Sequence, residues 1–216
     1  MNQVKERMIQ VQLGEVQLEG NLELPEGAEG VVLFAHGSGS GRFSPRNQFV
    51  ARSLQNRGLG TLLFDLLELA ESEDRNKVFD IDLLAERLMG VTDWVLNDAS
   101  TRELSCGYFG ASTGAAAALE AASKLKDKIK AVVSRGGRPD LAMQYLPEVT
   151  APTLLIVGGE DWPVISMNRD AYDRLSSVKE MVIVPGATHL FEERGALDEV
   201  ARLAGEWFEE YLPSPA

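Results

Sequence analysis

Cysteine and histidine are nearly missing from this chain of 216 residues, which has one cysteine, Cys106, and two histidines, His36 and His189. A single cysteine cannot form an internal disulfide, and inside its apolar surroundings it reads as a small buried hydrophobe, as expected of a protein in a reducing, cytoplasmic compartment. Long apolar runs are missing too. None reaches the roughly 18 residues that a membrane span needs, and the stretch from Met1 to Arg7 has no apolar core of the kind a signal peptide carries. Positive charge is scarce: 21 Lys and Arg face 33 Asp and Glu, and the net charge of −12 argues against nucleic acid and anionic membrane surfaces as partners. No repeat, low-complexity tract or shift in composition divides the chain, so one domain over residues 1–216 is expected, with Pro213-Ser214-Pro215-Ala216 as a loose tail.

What is present is an alternation of strand-like and helix-like segments. Met8 to Leu13 and Val16 to Leu24 alternate apolar and polar residues around Gly14-Glu15, the pattern of a hairpin with one wet face. Gly30 to Ala35 is a continuous apolar run suited to a strand buried on both faces. It leads through a glycine-rich loop to a helix opened by Ser44-Pro45 and stopped at Gly58. The unit recurs as strand Gly60 to Asp65, an acidic loop through Asp74 and a helix from about Asp80 to Leu96. Strand Cys106 to Phe109 precedes an alanine-rich helix, and strand Ile129 to Ser134 precedes a short helical region near Leu141. Strand Thr153 to Val157, a helix near Arg169 to Leu175, strand Met181 to Val184 and a helix from Leu197 to Tyr211 complete the series. Strands alternating with helices predict an α/β fold with a mostly parallel sheet covered on both faces.

Chemistry concentrates at Gly110-Ala111-Ser112-Thr113-Gly114, a G-x-S-x-G stretch between an apolar strand and a helix of small residues. A serine on such a turn projects its hydroxyl from the sheet edge, and the helix that follows aims N–H groups at any anion formed there. Ser112 is therefore the candidate nucleophile. A serine nucleophile needs a base and a group to orient that base. His189, in Gly186-Ala187-Thr188-His189 after a strand, is the only histidine downstream of Ser112. For the acid, strand Thr153 to Val157 runs into Gly158-Gly159-Glu160-Asp161. Asp161 is the choice, against its alternative use as a helix cap, with Glu160 and then Asp65 as rivals. The backbone N–H groups of Ser38 and Thr113 are expected to hold the oxyanion, and His36 to brace its loop. The loop Gly37-Ser38-Gly39-Ser40-Gly41 lacks the lysine and spacing of a phosphate-binding P-loop.

Taken together, these stretches resemble the dienelactone-hydrolase-like family of α/β-hydrolases, and especially the small hydrolase domain found alone or fused to phosphoribosyltransferases. Ser134-Arg135-Gly136-Gly137-Arg138-Pro139-Asp140 is the stretch that points to this narrower group. Two departures stand out: Trp162 follows the acid where such relatives often carry histidine, and the nucleophile is serine where dienelactone hydrolases proper use cysteine. The resemblance implies about eight strands with the second antiparallel to the rest, and no cap domain. It also implies a Ser112–His189–Asp161 triad that cleaves small carboxylic esters through an acyl-enzyme, without metal or other cofactor. The same triad used on thioesters or peptides, and a non-catalytic binding protein, are the alternatives. Arg135, Arg138, Arg42 and Arg46 cluster near the expected site, where they either pair with acids such as Asp140 or receive a carboxylate or phosphate of an anionic substrate.

Overall fold

The computed structural model describes residues 4–212, so the expected tail at Pro213 to Ala216 lies outside the described residues. Eight strands form one sheet in the order β1-β2-β4-β3-β5-β6-β7-β8. Strands β1 (Val4–Leu13) and β2 (Val16–Pro25) make the expected hairpin, and Gly14 at its tip takes a φ of +62°. A glycine first in a two-residue turn matches the right-handed twist of paired strands. Strand β2 pairs antiparallel with both β1 and β4 (Gly60–Phe64), whereas every pair from β4 onward is parallel. The antiparallel second strand is thus as the resemblance implied.

The central strands β3 (Gly30–Ala35), β5 (Ser105–Ala111), β6 (Ile129–Arg135) and β7 (Thr153–Gly158) are almost wholly buried, while the edge strand β8 (Lys179–Val184) is half-exposed. Burial on both faces explains why the central strands read as continuous apolar runs. Helices α4 (Ile81–Asn97) and α5 (Thr113–Leu125) cover one face, where Leu84, Leu88, Val91, Ala117 and Ala118 pack together. Helices α1 (Pro45–Asn56) and α7 (Ala196–Tyr211) cover the other face, with Val50, Leu54, Val200 and Phe208 inside. Phe208 lies over Gly107 of β5, where an added Cβ would come within 2.9 Å of its ring.

Two sequence expectations need correction. The acidic loop holds two short helices, α2 (Leu69–Ser72) and α3 (Arg75–Val78). Reciprocal bonds between Glu68 and Glu71 start α2, and Asp74 accepts from the Asn76 N–H to start α3. Helix α6 (Trp162–Arg174) begins well before Arg169, because Pro163 fits the first turn, where a missing N–H costs nothing. Between β6 and β7 there are only two 3₁₀ turns, Pro139–Ala142 and Leu146–Glu148, and no cap domain.

Candidate active site

Ser112 stands between β5 and α5 with φ +51° and ψ −122°, one of three non-glycine residues with positive φ among the described residues. The strain is held by close packing. A Cβ on Gly114 would lie 2.1 Å from the Ala35 carbonyl oxygen and one on Gly110 2.5 Å from the Ala115 Cα, so α5 meets β3 and β5 only where side chains are absent. Although Ser112 occupies the N-cap position of α5, its hydroxyl caps nothing. The backbone around it is fixed: the Ser112 N–H donates to the Arg135 carbonyl at 3.3 Å, and its carbonyl accepts from the Arg138 N–H at 3.0 Å.

Asp161 shows the same sparing of a side chain. It is the N-cap residue of α6 and forms no side-chain cap; instead its Oδ2 accepts from His189 Nδ1 at 2.7 Å. Capping, the alternative use for this residue, is therefore not what the carboxylate does. Its rival Glu160 is exposed. With Nδ1–H held by a carboxylate, Nε2 of His189 is left as the acceptor. The loop from Arg135 to Arg138 touches both residues: its ends bond the Ser112 backbone, and at Gly136 an added Cβ would come within 3.6 Å of the His189 Cε1. The Ser112 hydroxyl makes no hydrogen bond to His189 among the described residues; such contacts often tighten only around bound substrate.

The oxyanion corner differs from the sequence expectation. The N–H of Ser38 donates to Thr113 Oγ1 at 3.0 Å and is engaged, whereas the Thr113 N–H at the start of α5 has no partner among the described residues. Spacing along the chain locates such a loop but does not reveal that a threonine hydroxyl, 75 positions away, fills the space in front of it. A Cβ on Gly37 would lie 3.0 Å from the Ser112 Cβ, so this loop runs directly against the nucleophile.

His36 joins two loops. Its Nδ1 donates to the Gly37 carbonyl and its Nε2 accepts from the Leu66 N–H, each at 3.0 Å, which ties the loop after β3 to the loop after β4. Loss of hydration on burial lowers its pKa, outweighing the raising effects of the Gly37 carbonyl and of Asp65. A histidine whose pKa is lower in the folded than in the unfolded chain contributes its full stability above the unfolded pKa and loses it progressively as pH falls from there through the folded pKa. The melting temperature is accordingly expected to drop as pH falls below about 6.5, and His36→Gln, less stable overall, should melt with a shallower slope on that acid side.

The four arginines do not form an open anion site. Arg42 pairs with Asp65 and, at 2.5 Å, with Glu19; Arg46 pairs with Glu192 at 2.9 Å; Arg138 grips both oxygens of Asp140 at 2.8 and 2.9 Å. Arg135 alone of the four lacks a carboxylate, and it is only 6% exposed. Among the described residues its one side-chain hydrogen bond is a long 3.5 Å contact to Asn47 Oδ1, its guanidinium stands 5.9 Å from the Phe191 ring centroid, and burial, aided by Arg46, lowers its pKa to about 10. It remains charged at neutral pH and enclosed. Cys106, as expected, is buried, which pushes its thiol pKa up to about 12 and leaves it an inert packing group.

Sequence reasoning missed a cavity of about 720 Å³ beside the elbow, bounded by Ser38, Thr113, Phe43, Leu67, Val78 and Leu84 and by the charged residues Glu19, Arg42, Asp65 and Glu68. Its walls come from β2, two loops, α2, α3, α4 and the start of α5, so no local motif announces it. Among the described residues no cluster of His, Cys, Asp and Glu is arranged to hold a metal ion, and no helix is long and apolar enough to cross a membrane.

Comparison with known proteins gives this geometry a lineage. The crystal structure of dienelactone hydrolase from Anabaena variabilis superposes with a TM-score of 0.94 at 58% identity, over 97% of this chain and 99% of that one. The chain belongs to the dienelactone hydrolase family. More distant structures share only the fold: Est1E from Butyrivibrio proteoclasticus has a TM-score of 0.81 at 15% identity, over 94% of this chain and 98% of that one. Esterase Pf2001 of Pyrococcus furiosus has a TM-score of 0.80 at 19% identity, over 96% and 93%. No family model matches the sequence. Curated relatives from two strains of Mycobacterium tuberculosis, each named "Putative phosphoribosyl transferase", are 51% identical over 212 residues. That alignment covers 98% of this chain and 48% of each relative, so the chain spans about half their length. The transferase name belongs to those longer chains.

Proposed function

We propose that this member of a hydrolase family is a serine hydrolase that cleaves small carboxylic esters through an acyl-enzyme. Ser112 Oγ attacks the ester carbonyl while His189 Nε2 takes its proton. The tetrahedral oxyanion forms against the Thr113 N–H, and the Ser38 N–H joins once it exchanges Thr113 Oγ1 for the substrate oxygen. Collapse breaks the bond to the alcohol, which receives the proton from His189. Water, deprotonated by the same imidazole, then attacks the acyl-enzyme and releases the acid and Ser112. Asp161 keeps the imidazole in the required tautomer and stabilises its charged form. No step calls for a metal or other cofactor. Without a cap the site admits water, which favours hydrolysis over transfer to another acceptor.

The observation that carries this reading is the 2.7 Å contact between His189 Nδ1 and Asp161 Oδ2, made by an aspartate at a helix start that caps nothing. The name of the Anabaena relative lends support, since a lactone is a cyclic carboxylic ester. The test is reaction with a fluorophosphonate, followed by mass spectrometry of the peptide containing Ser112. Wild type is expected to carry one adduct, on Ser112, and His189→Ala to react at least about a thousandfold more slowly for want of its base. Adduct formation by Ser112→Ala at the wild-type rate would refute the proposal.

A further inference from the structure

Resting on the ester-hydrolase reading, we infer that the cavity beside Ser38 and Thr113 is the acyl pocket, and that it takes uncharged apolar acyl groups and rejects those bearing a carboxylate. Position supports the acyl assignment. The leaving oxygen of an ester must meet the imidazole that protonates it. His189 and Asp161 follow β8 and β7 on one side of Ser112, and neither lines the cavity, which lies on the opposite side after β3 and β4. The alcohol is thereby assigned to the His189 side, where Trp162 and Leu190, neighbours in sequence of the acid and the base, stand exposed. What remains for the cavity is the acyl group, which stays on the enzyme after the alcohol has left.

Chemistry supports the selectivity. Leu67, Val78, Leu84, Phe43 and Leu69 give the cavity an apolar wall, and Phe43 and Leu69 are 63% and 83% exposed, so a ligand there would cover surface now facing water. The same lining holds three carboxylates, Glu19, Asp65 and Glu68, against one guanidinium, Arg42. That guanidinium is already bound by Asp65 and Glu19 and lies 4.5 Å from the Phe43 ring centroid, and its Nε is enclosed. An incoming carboxylate would meet uncompensated negative charge in a partly dehydrated space and find the one guanidinium of the lining already paired. For this half of the ester the proposal favours a neutral group over the anionic alternative that the arginines left open.

The experiment uses 4-nitrophenyl esters: acetyl, hexanoyl, and an adipoyl pair that ends in either a methyl ester or a free carboxylate. Wild type is expected to favour hexanoyl over acetyl, and the methyl-capped adipoyl ester over the free acid by at least about tenfold in kcat/KM, a gap that narrows with added salt. Val78→Trp, or Ser72→Phe should the first variant melt early, places bulk in the cavity. Either is expected to cost about tenfold or more on hexanoyl while sparing acetyl, and to leave preference among alcohols unchanged at fixed acyl group. Glu19→Gln should narrow the gap between the adipoyl pair, and Arg138→Ala should not. Preference of wild type for the free carboxylate, or a cavity-filled folded variant that loses acetyl and hexanoyl equally, would overturn the proposal.

Binding of methyl hexanoate to Ser112→Ala by calorimetry separates the two readings. Binding that Val78→Trp abolishes, without turnover of any ester by wild type, would defeat the reaction and uphold the pocket. Turnover that is indifferent to the acyl group would defeat the pocket and uphold the reaction.

Discussion

Asp161→Asn is expected to lower kcat by about 10⁴-fold with little change in KM, whereas Glu160→Gln should leave both nearly untouched. The asymmetry follows from a proton. Asp161 Oδ2 can only accept, so His189 Nδ1 must donate and Nε2 stays free to act as the base. An asparagine that turns its NH₂ toward Nδ1 instead stabilises the tautomer with hydrogen on Nε2, which cannot take a proton from Ser112. It also withdraws the negative charge that supports the imidazolium in the transition state. Glu160 has the same charge one residue away, but it is exposed, and among the described residues it is Asp161 that bonds the ring. Steady-state kinetics on one neutral ester would decide the matter, provided thermal melts show both variants folded. If Glu160→Gln proved the damaging change, the acid would be reassigned.

Gly114→Ala should cost more stability than a methyl group added at the other elbow glycine, Gly110, or at Gly37 in the loop that runs against the nucleophile. The new Cβ would meet the Ala35 carbonyl oxygen at 2.1 Å and the His36 carbonyl oxygen at 2.5 Å, both backbone atoms at the end of a buried central strand. Neither can move aside as a flexible side chain would, so α5 must shift or β3 must bend. A cost above about 4 kcal/mol is expected, which for a chain of this size lowers the melting temperature by roughly 10 °C or more or prevents folding outright. Gly37→Ala makes the useful comparison. Its Cβ would press on the Ser112 Cβ at 3.0 Å and on the Ala111 carbonyl at 3.1 Å, distances that a few tenths of an ångström relieve. That variant should fold and melt within a few degrees of wild type while losing most of its activity, because the atom that yields is attached to the nucleophile. Paired melting curves and kcat values test the contrast, and equal losses of stability in the two variants would contradict it.

The strands were legible because burial leaves a mark on composition: Gly30 to Ala35 and Thr153 to Val157 are apolar throughout, and both proved to be central strands. The order of serine, acid and histidine could be read because so few histidines compete for the last place. Side-chain economy could not be read. Asp161 and Ser112 both occupy helix N-cap positions, and only the three-dimensional arrangement shows the aspartate turned to His189 and the serine capping nothing. For the arginines the sequence left pairing with acids and binding of an anion both open, for a related reason. A guanidinium near a sheet edge looks available until its acids are located, and Glu19 and Glu192 reach Arg42 and Arg46 from distant parts of the chain. The start of α6 was misplaced although Asp161-Trp162-Pro163 carries the signals of a helix N-terminus, because the apolar spacing becomes regular only further along.

Phe208 resting on Gly107 has a meaning for the order in which the molecule is made. The strand that delivers Ser112 is covered on that face by a helix synthesised after every residue of the triad. During translation, at about 5–20 residues per second, the hairpin and the first parallel strands emerge for several seconds with only α1 available to cover this face and the α7 side of it bare. The nucleophile's strand is then an exposed apolar surface, and the chain depends on chaperones or on rapid completion to avoid sticking to its neighbours. Competence for catalysis should therefore arise late and all at once as α7 docks, and nascent chains arrested just before Ala196 should resist folding and be cut readily by proteases.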